Sequence, residues 1–198
     1  MREMSKTRAK KTKKQIILEE AATLFREKGY SATTMRDIAG KVGVEAASLY
    51  NHITGKEQIL SQICFSLADT YTSKMDVILN SNESAIDKIK ELLLLHVEIN
   101  AMSSPLASVM NDEWRHLTEP EHGEFLEKRR AYENHFLTII EEGIADGSVV
   151  VSDSKVALYT MLSSIRWLQH WYHSNKDMNV ESVKETIIGL LMNGIKKA

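Results

Sequence analysis

Residues 33–60 read TTMRDIAGKVGVEAASLYNHITGKEQIL, and this stretch decides the fold. Thr34 followed three residues later by Asp37 has the form of a capping box, with Asp in place of the usual Glu or Gln. It predicts a short helix running to about Val42. Gly43-Val44 breaks that helix, because glycine can take the positive φ that a three- or four-residue turn needs. A second short helix is expected over about 45–52. Gly55 then precedes a long helix that begins near Lys56. Ahead of the stretch, Ile17, Ala21, Leu24 and Phe25 fall at i, i+4, i+7 and i+8, the spacing of one helical face, and Gly29 ends that face. Two short helices joined by a tight glycine turn, behind a longer packing helix, form a helix-turn-helix. Ile38, Ala39, Val42, Val44, Leu49 and Ile53 would supply its inward faces.

The rest of the chain is consistent with this. Two prolines and nine glycines in 198 residues compare with roughly ten and fourteen at average usage, so few short strands and hairpins are expected. The expected class is all-α, with about nine helices. One cysteine, Cys64, excludes an intrachain disulfide and reads as a buried core thiol. No run approaches the eighteen apolar residues of a membrane span, and the acidic pair in KKQIILEEAATLF rules out a secretory segment. A cytoplasmic location without membrane attachment is expected.

The formal net charge of −2 hides a division. Residues 1–56 hold 12 Lys and Arg against 6 Asp and Glu, whereas residues 57–198 hold 13 against 21. A basic head, 1–56, therefore precedes an acidic body, 57–198. The head opens on a basic tail at residues 1–14, which reads either as a solvated arm or as a nonspecific phosphate contact. The body divides into expected helices at 56–80, 84–102, 104–116, 121–146, 153–174 and 179–196. Gly147 closes the fourth of these, and Asp153 or Ser152 caps the fifth.

The stretch quoted above resembles the DNA-binding signature of the tetracycline-repressor (TetR) family, most densely at GVEAASLYNHITGK, where Leu49-Tyr50-x-His52 and Lys56 stand at the family's spacing. The likeness spans about Ile17 to Leu60. It implies a homodimeric transcriptional regulator, most simply a repressor, that binds a double-stranded DNA operator of pseudo-palindromic sequence. The body would bind a ligand and dimerise. The second short helix would enter the major groove. Ser48 would then face a base edge, Asn51 either a base edge or the DNA backbone, and Ala46 and Ala47 could touch thymine methyls. The alternative is that these small residues only permit close approach. The resemblance assigns Thr34, Tyr50, His52 and Lys56 to the DNA backbone, and Arg36 to a position that reaches the DNA. Tyr50 could instead pack in the core with its hydroxyl wet. Glu45 stands where many relatives carry Ser or Thr. It suits a helix N-terminus but would repel phosphate.

For the body, the family implies a small hydrophobic effector, with an acyl-CoA-like compound among the candidates. Met102, Met110, Trp114, Tyr132, Phe136, Met161 and Trp167 are the expected lining, although Met and aromatic residues at helical spacing equally describe plain core. Arg115, Arg129 or Arg130 could meet an acidic head group, or simply form a solvated face. The last two helices carry wide apolar faces, and Trp171, Val183, Ile187, Leu190 and Leu191 are the expected dimer contacts. No metal site, cofactor or enzymatic motif is expected: the histidines are scattered, and no phosphate-binding glycine loop or nucleophile elbow is present. A helical small-molecule or lipid carrier is the rival reading, but it has no need of Tyr50, His52 and Lys56 in a basic segment. A nucleoid packager would need basic charge along the whole chain, which the acidic body lacks.

Overall fold

The computed structural model describes residues 11–102, 104–174 and 179–197. Among them it is all-helical: α1 Lys13–Lys28, α2 Met35–Val42, α3 Ala46–Leu49, α4 Lys56–Leu79, α5 Ala85–Met102, α6 Ser104–Asp112, α7 Glu121–Asp146, α8 Ser154–Arg166, α9 Leu168–Ser174 and α10 Val180–Ile195, with a 3-10 turn at Trp114–His116. Helices α8 and α9 meet at Trp167, so one expected helix is a broken one. The only extended pairing among these residues is a single antiparallel bridge, Val149 to Lys196, that ties the loop after α7 to the end of α10.

The helix ends follow local chemistry. The capping box at α2 is complete: Thr34 Oγ1 accepts from the Asp37 N–H at 3.1 Å, and Asp37 Oδ2 accepts from the Thr34 N–H at 2.9 Å. The Thr34 hydroxyl, donating to Asp37 Oδ2 at 2.6 Å, then the Thr34 N–H and Lys28, hold the Asp37 carboxyl down to about 2. Gly43 sits at φ 75°. Its N–H bonds the Gly40 carbonyl and the Val44 N–H bonds the Ala39 carbonyl, the paired bonds of a Schellman stop. Asp153 caps α8 through the Val156 N–H.

Two large cores result. The head core joins Ile17, Phe25, Ile38, Leu49 and Ile53 to Ile59, Ile63 and Cys64 of α4 and to Val109, Leu117 and Phe125 of the body. Cys64 is buried, and burial pushes its thiol up to about 12. Helix α6 packs on α1 as well as on α4, α5 and α9, so it bridges head and body. The body core surrounds α5, with Ile89, Leu92, Leu93, Phe136, Ile140, Leu158 and Ile165 fully buried. Gly143 allows α7 to approach the bridge loop, since a Cβ there would lie 2.6 Å from Val149 Cγ2.

Candidate functional site

The head's second short helix is shorter than its sequence suggests. Only Ala46–Leu49 is α-helical, and residues 50–52 continue as a turn in which the His52 N–H bonds the Leu49 carbonyl at 3.0 Å. Leu49 and Ile53, both buried, anchor this segment to the core. With those two fixed inward, Ala47, Tyr50, Asn51 and His52 stand exposed on the other side, and Tyr50 is 54% exposed. Ser48 is half-buried, and Ala46 packs against the head core rather than standing free. Glu45 precedes α3 without a side-chain cap bond. Thr34 and Arg36 are exposed at the start of α2. Lys11 pairs with Glu19, but residues 1–10 of the basic tail lie outside the described residues.

Lys56 has an internal task. Its Nζ donates to the carbonyls of Tyr30 (2.8 Å), Thr33 (3.0 Å) and Ser31 (3.4 Å), and lies 4.3 Å from the Tyr30 ring centroid. The ammonium thereby clamps the turn between α1 and α2 to the start of α4. Sequence spacing alone could not show this, because the partners are backbone atoms more than twenty residues away. Tyr30 is itself buried. That burial, with the charge of Glu57, pushes its hydroxyl up to about 12. On the body side, the His116 ring of the 3-10 turn stacks on Tyr30 with centroids 5.1 Å apart.

The body holds a cavity of about 170 Å³ bounded by α4, α5, α6, α7 and α8. Ala68, Tyr71, Met110, Phe125 and Leu162 give it an apolar share. His96, Asn100 and Tyr132 put polar atoms deep in the wall, with His96 Nε2 2.9 Å from Tyr132 Oη. Burial pushes the His96 imidazole down to about 3 and raises both tyrosine hydroxyls. Lys128, Arg129 and Arg166 carry the positive charge of the lining. Each has a carboxylate beside it: Asp69 at 2.9 Å from Lys128, Glu133 at 2.9 Å from Arg129, and Asp112 against Arg166.

Two of the seven residues expected to line a pocket, Met110 and Tyr132, do so. Phe136 and Met161 are packed in the body core. Trp114 lies against the head core, stacked on His122 and Phe125. Met102 is 74% exposed, and Trp167 lies on the surface at the α8–α9 break. Apolar periodicity marks which residues are hidden. It does not distinguish filled core from cavity wall, and this wall mixes polar side chains with apolar ones. Of the candidate arginines, Arg129 lines the cavity, while Arg115 lies over Trp114.

The expected dimer residues also divide. Val183 and Ile187 are buried within this chain's own core, Trp171 and Leu191 pack partly against it, and Leu190 is 72% exposed. Val156 and Tyr159, on the apolar face of α8, are exposed as well.

A polar network that sequence reasoning missed closes one end of the cavity. Asp112, at the end of α6, accepts from Arg166, from Gln169 Nε2 at 2.8 Å and from Ser108 Oγ at 3.2 Å. Asn111 donates to Gln169 Oε1 at 2.6 Å, and its carbonyl accepts from Arg166 at 3.1 Å. Gln169 is buried, so the network satisfies polar groups that would otherwise be costly to bury. Two cavity cations therefore touch the segment that leads to His116: Arg166 through Asp112, and Arg129 through its guanidinium 5.7 Å from the Trp114 ring centroid.

Comparison with known proteins agrees with this architecture. The family model for bacterial regulatory proteins of the tetR family matches residues 17–63, and that for the tetracyclin repressor-like C-terminal domain matches 82–195. The chain is 27% identical over 184 residues to the HTH-type transcriptional repressor KstR2 of Mycolicibacterium smegmatis, covering 92% of this chain and 90% of that protein. The ketosteroid transcriptional regulator KstR2 of Mycobacterium tuberculosis has the same fold, with a TM-score of 0.87 at 21% identity, over 96% of this chain and 97% of that one. AibR, solved in complex with isovaleryl coenzyme A and operator DNA, superposes with a TM-score of 0.78 at 20% identity, over 91% and 98%. On the match of both family models, one over the head and one over more than half of the chain in the body, the chain belongs to the TetR family of helix-turn-helix transcriptional regulators.

Proposed function

We propose that this protein is a one-component transcriptional repressor that binds a pseudo-palindromic operator as a homodimer and lets go when a small acyl-CoA-like effector enters the body. The observation that carries this reading is the side of α3 opposite Leu49 and Ile53, where Ala47, Tyr50, Asn51 and His52 are exposed on a rigidly cored head. Ser48 and Asn51 read base edges, and Tyr50 and His52 hold phosphates. Lys56 supports them from within the fold, and its backbone N–H at the start of α4 is still placed to attract a phosphate. A carrier would have no use for such a face. Among the described residues, no single helix is long and apolar enough to cross a membrane, and a DNA-bound regulator acts in the cytoplasm.

Dimerisation uses the outer faces of α8 and α10, where Val156 (64% exposed), Tyr159, Trp167 and Leu190 are left uncovered. A two-fold dimer places two reading helices in successive major grooves, about one helical turn apart. The effector cavity is close in size to an engineered cavity of ~150 Å³ that takes up benzene. A short acyl group therefore fits inside, and a bulky anionic remainder stays at Lys128, Arg129 and Arg166. The isovaleryl coenzyme A bound by AibR has that shape.

Release follows from differential binding. An effector need only favour the DNA-incompetent arrangement by about 1–3 kcal/mol. An anion at the mouth competes for Arg166 and Arg129, loosening Asp112 and Trp114 and so the turn that ends on Tyr30. Helix α4 carries the shift to the reading helix from the cavity side. The test is selection of random duplexes by the purified protein. The expected product is an inverted repeat with half-sites about one helical turn apart, eluted by isovaleryl coenzyme A. Recovery of duplexes without a shared motif would reject operator recognition.

A further inference from the structure

The cavity lining is graded from uncharged to charged. Tyr71 and Asn100 are buried, whereas the side chains of Lys128, Arg129 and Arg166 are each about half exposed. The deep wall is Tyr71 and Asn100, with the half-buried His96 and Tyr132 packed beside them, and the cations form the rim. Three rings enclose the deep end: Tyr71 to His96 at 4.6 Å, Tyr71 to Tyr132 at 5.6 Å and His96 to Tyr132 at 5.7 Å between centroids.

The His96–Tyr132 pair has two exchangeable protons, one imidazole N–H and one phenol O–H. Their mutual hydrogen bond, 2.9 Å long, uses one of them. The other rests on Tyr132 Oη or on the far imidazole nitrogen, according to tautomer. The pair can therefore present either a donor or an acceptor to a guest. It presents no charge, since burial keeps this imidazole neutral at physiological pH. A carboxylate pushed to the deep wall would lose its hydration without gaining a counter-ion. A plain hydrocarbon end would fit but would leave this polar pair without a guest to bond.

We infer that the cavity accepts its effector in one orientation: an anionic part at the Lys128, Arg129 and Arg166 rim, and a short inserted part that ends in an uncharged oxygen, a ketone or hydroxyl, against His96 and Tyr132. The inserted part holds on the order of six to eight non-hydrogen atoms, by comparison with benzene in a cavity of similar size. This specificity rests on the cavity being the effector site.

Three six-carbon thioesters separate the possibilities: hexanoyl-CoA, 5-oxohexanoyl-CoA and adipoyl-CoA, titrated calorimetrically into the full-length protein. The ketone is expected to bind about five- to tenfold more tightly than the hydrocarbon. The terminal carboxylate is expected to bind at least about tenfold more weakly than the hydrocarbon. Tyr132→Phe should bring the ketone and the hydrocarbon to within about twofold of each other. Equal binding of all three, or tighter binding of adipoyl-CoA, overturns the inference while leaving the effector site standing. A ketone preference that survives Tyr132→Phe also overturns it. If none of the three binds to protein that still binds its operator, the effector-site reading fails for CoA thioesters, and this inference fails with it. The ligand series on the unaltered protein decides the matter even if the variant does not fold.

Discussion

His116 and Tyr30 stack across the seam between body and head, with centroids 5.1 Å apart and ring planes 25° from parallel. Tyr30 in turn carries the Lys56 ammonium on its ring and on its carbonyl. The 3-10 turn is thus in direct contact with the clamp that sets α2 against α4. His116→Ala should leave operator binding and effector binding nearly intact, because His116 belongs to neither surface. It should weaken their coupling by about 0.5–2 kcal/mol. Operator titrations with and without isovaleryl coenzyme A measure that coupling. Undiminished release in the variant would show that the signal travels elsewhere.

Lys56→Met tests the clamp itself. Charged hydrogen bonds to backbone carbonyls are worth about 1.5–3 kcal/mol, and the methionine stem keeps the packing. Urea unfolding should show a loss in that range, together with weaker operator binding. Stability unchanged within about 0.5 kcal/mol would mean that the three carbonyls are equally well served by water.

Base and phosphate contacts separate by substitution. Ser48→Ala and Asn51→Ala should each cost about 1–3 kcal/mol and relax preference at one operator position. Tyr50→Phe and His52→Ala should weaken all duplexes alike. Removing residues 1–13 should lower affinity for any DNA and make the log–log salt dependence shallower by about 0.9 for each phosphate that the tail had neutralised. An unchanged salt slope would make the tail a bystander.

Much of this was legible in the sequence, for local reasons. The Thr34–Asp37 box, the turn at Gly43, the stop at Gly147 and the cap at Asp153 are each written within a few residues, and all four are present. The inward set Ile38, Ala39, Leu49 and Ile53 followed from helical spacing and is buried. The cavity was much less legible. Tyr71, His96, Asn100 and Arg166 come together from three helices, and their chemistry shows only when α4, α5 and α8 are placed. Phe136 and Met161 have the composition of a pocket wall but fill core, because spacing carries no information about voids. Lys56, which the resemblance assigns to the DNA backbone, also holds three carbonyls that no local spacing reveals. The break at Trp167 has no proline or glycine to announce it.

His96 gives the protein a specific acid response. The unfolded imidazole titrates near 6.5, whereas the folded one is held down to about 3. Below 6.5 the unfolded chain binds a proton that the folded chain refuses. The contribution of His96 is therefore complete above that pH and is lost as the pH falls towards about 3, at up to about 1.4 kcal/mol per pH unit. Asp37 acts lower, its contribution being present above the ordinary carboxylate range and lost on the way down to about 2. Urea midpoints between about pH 6 and pH 4 should fall more steeply for the native protein than for His96→Phe. Parallel curves would place the imidazole in contact with water.

The outer faces of α8 and α10 are tested by charge. Val156→Asp and Leu190→Asp each put a carboxylate on an exposed apolar position without touching the chain's own core. Sedimentation should show a dimer for the native protein and a monomer for the double variant at micromolar concentration. A native monomer would remove the two-fold reading of the operator.

Operator recognition by the head is the claim on which the rest depends. Its most direct measurement is fluorescence anisotropy at physiological salt, comparing the duplex upstream of the protein's own coding sequence with a scrambled duplex of equal length. Two chains per duplex and a preference of at least about a thousandfold for the native sequence are expected. A ratio near one would contradict operator recognition.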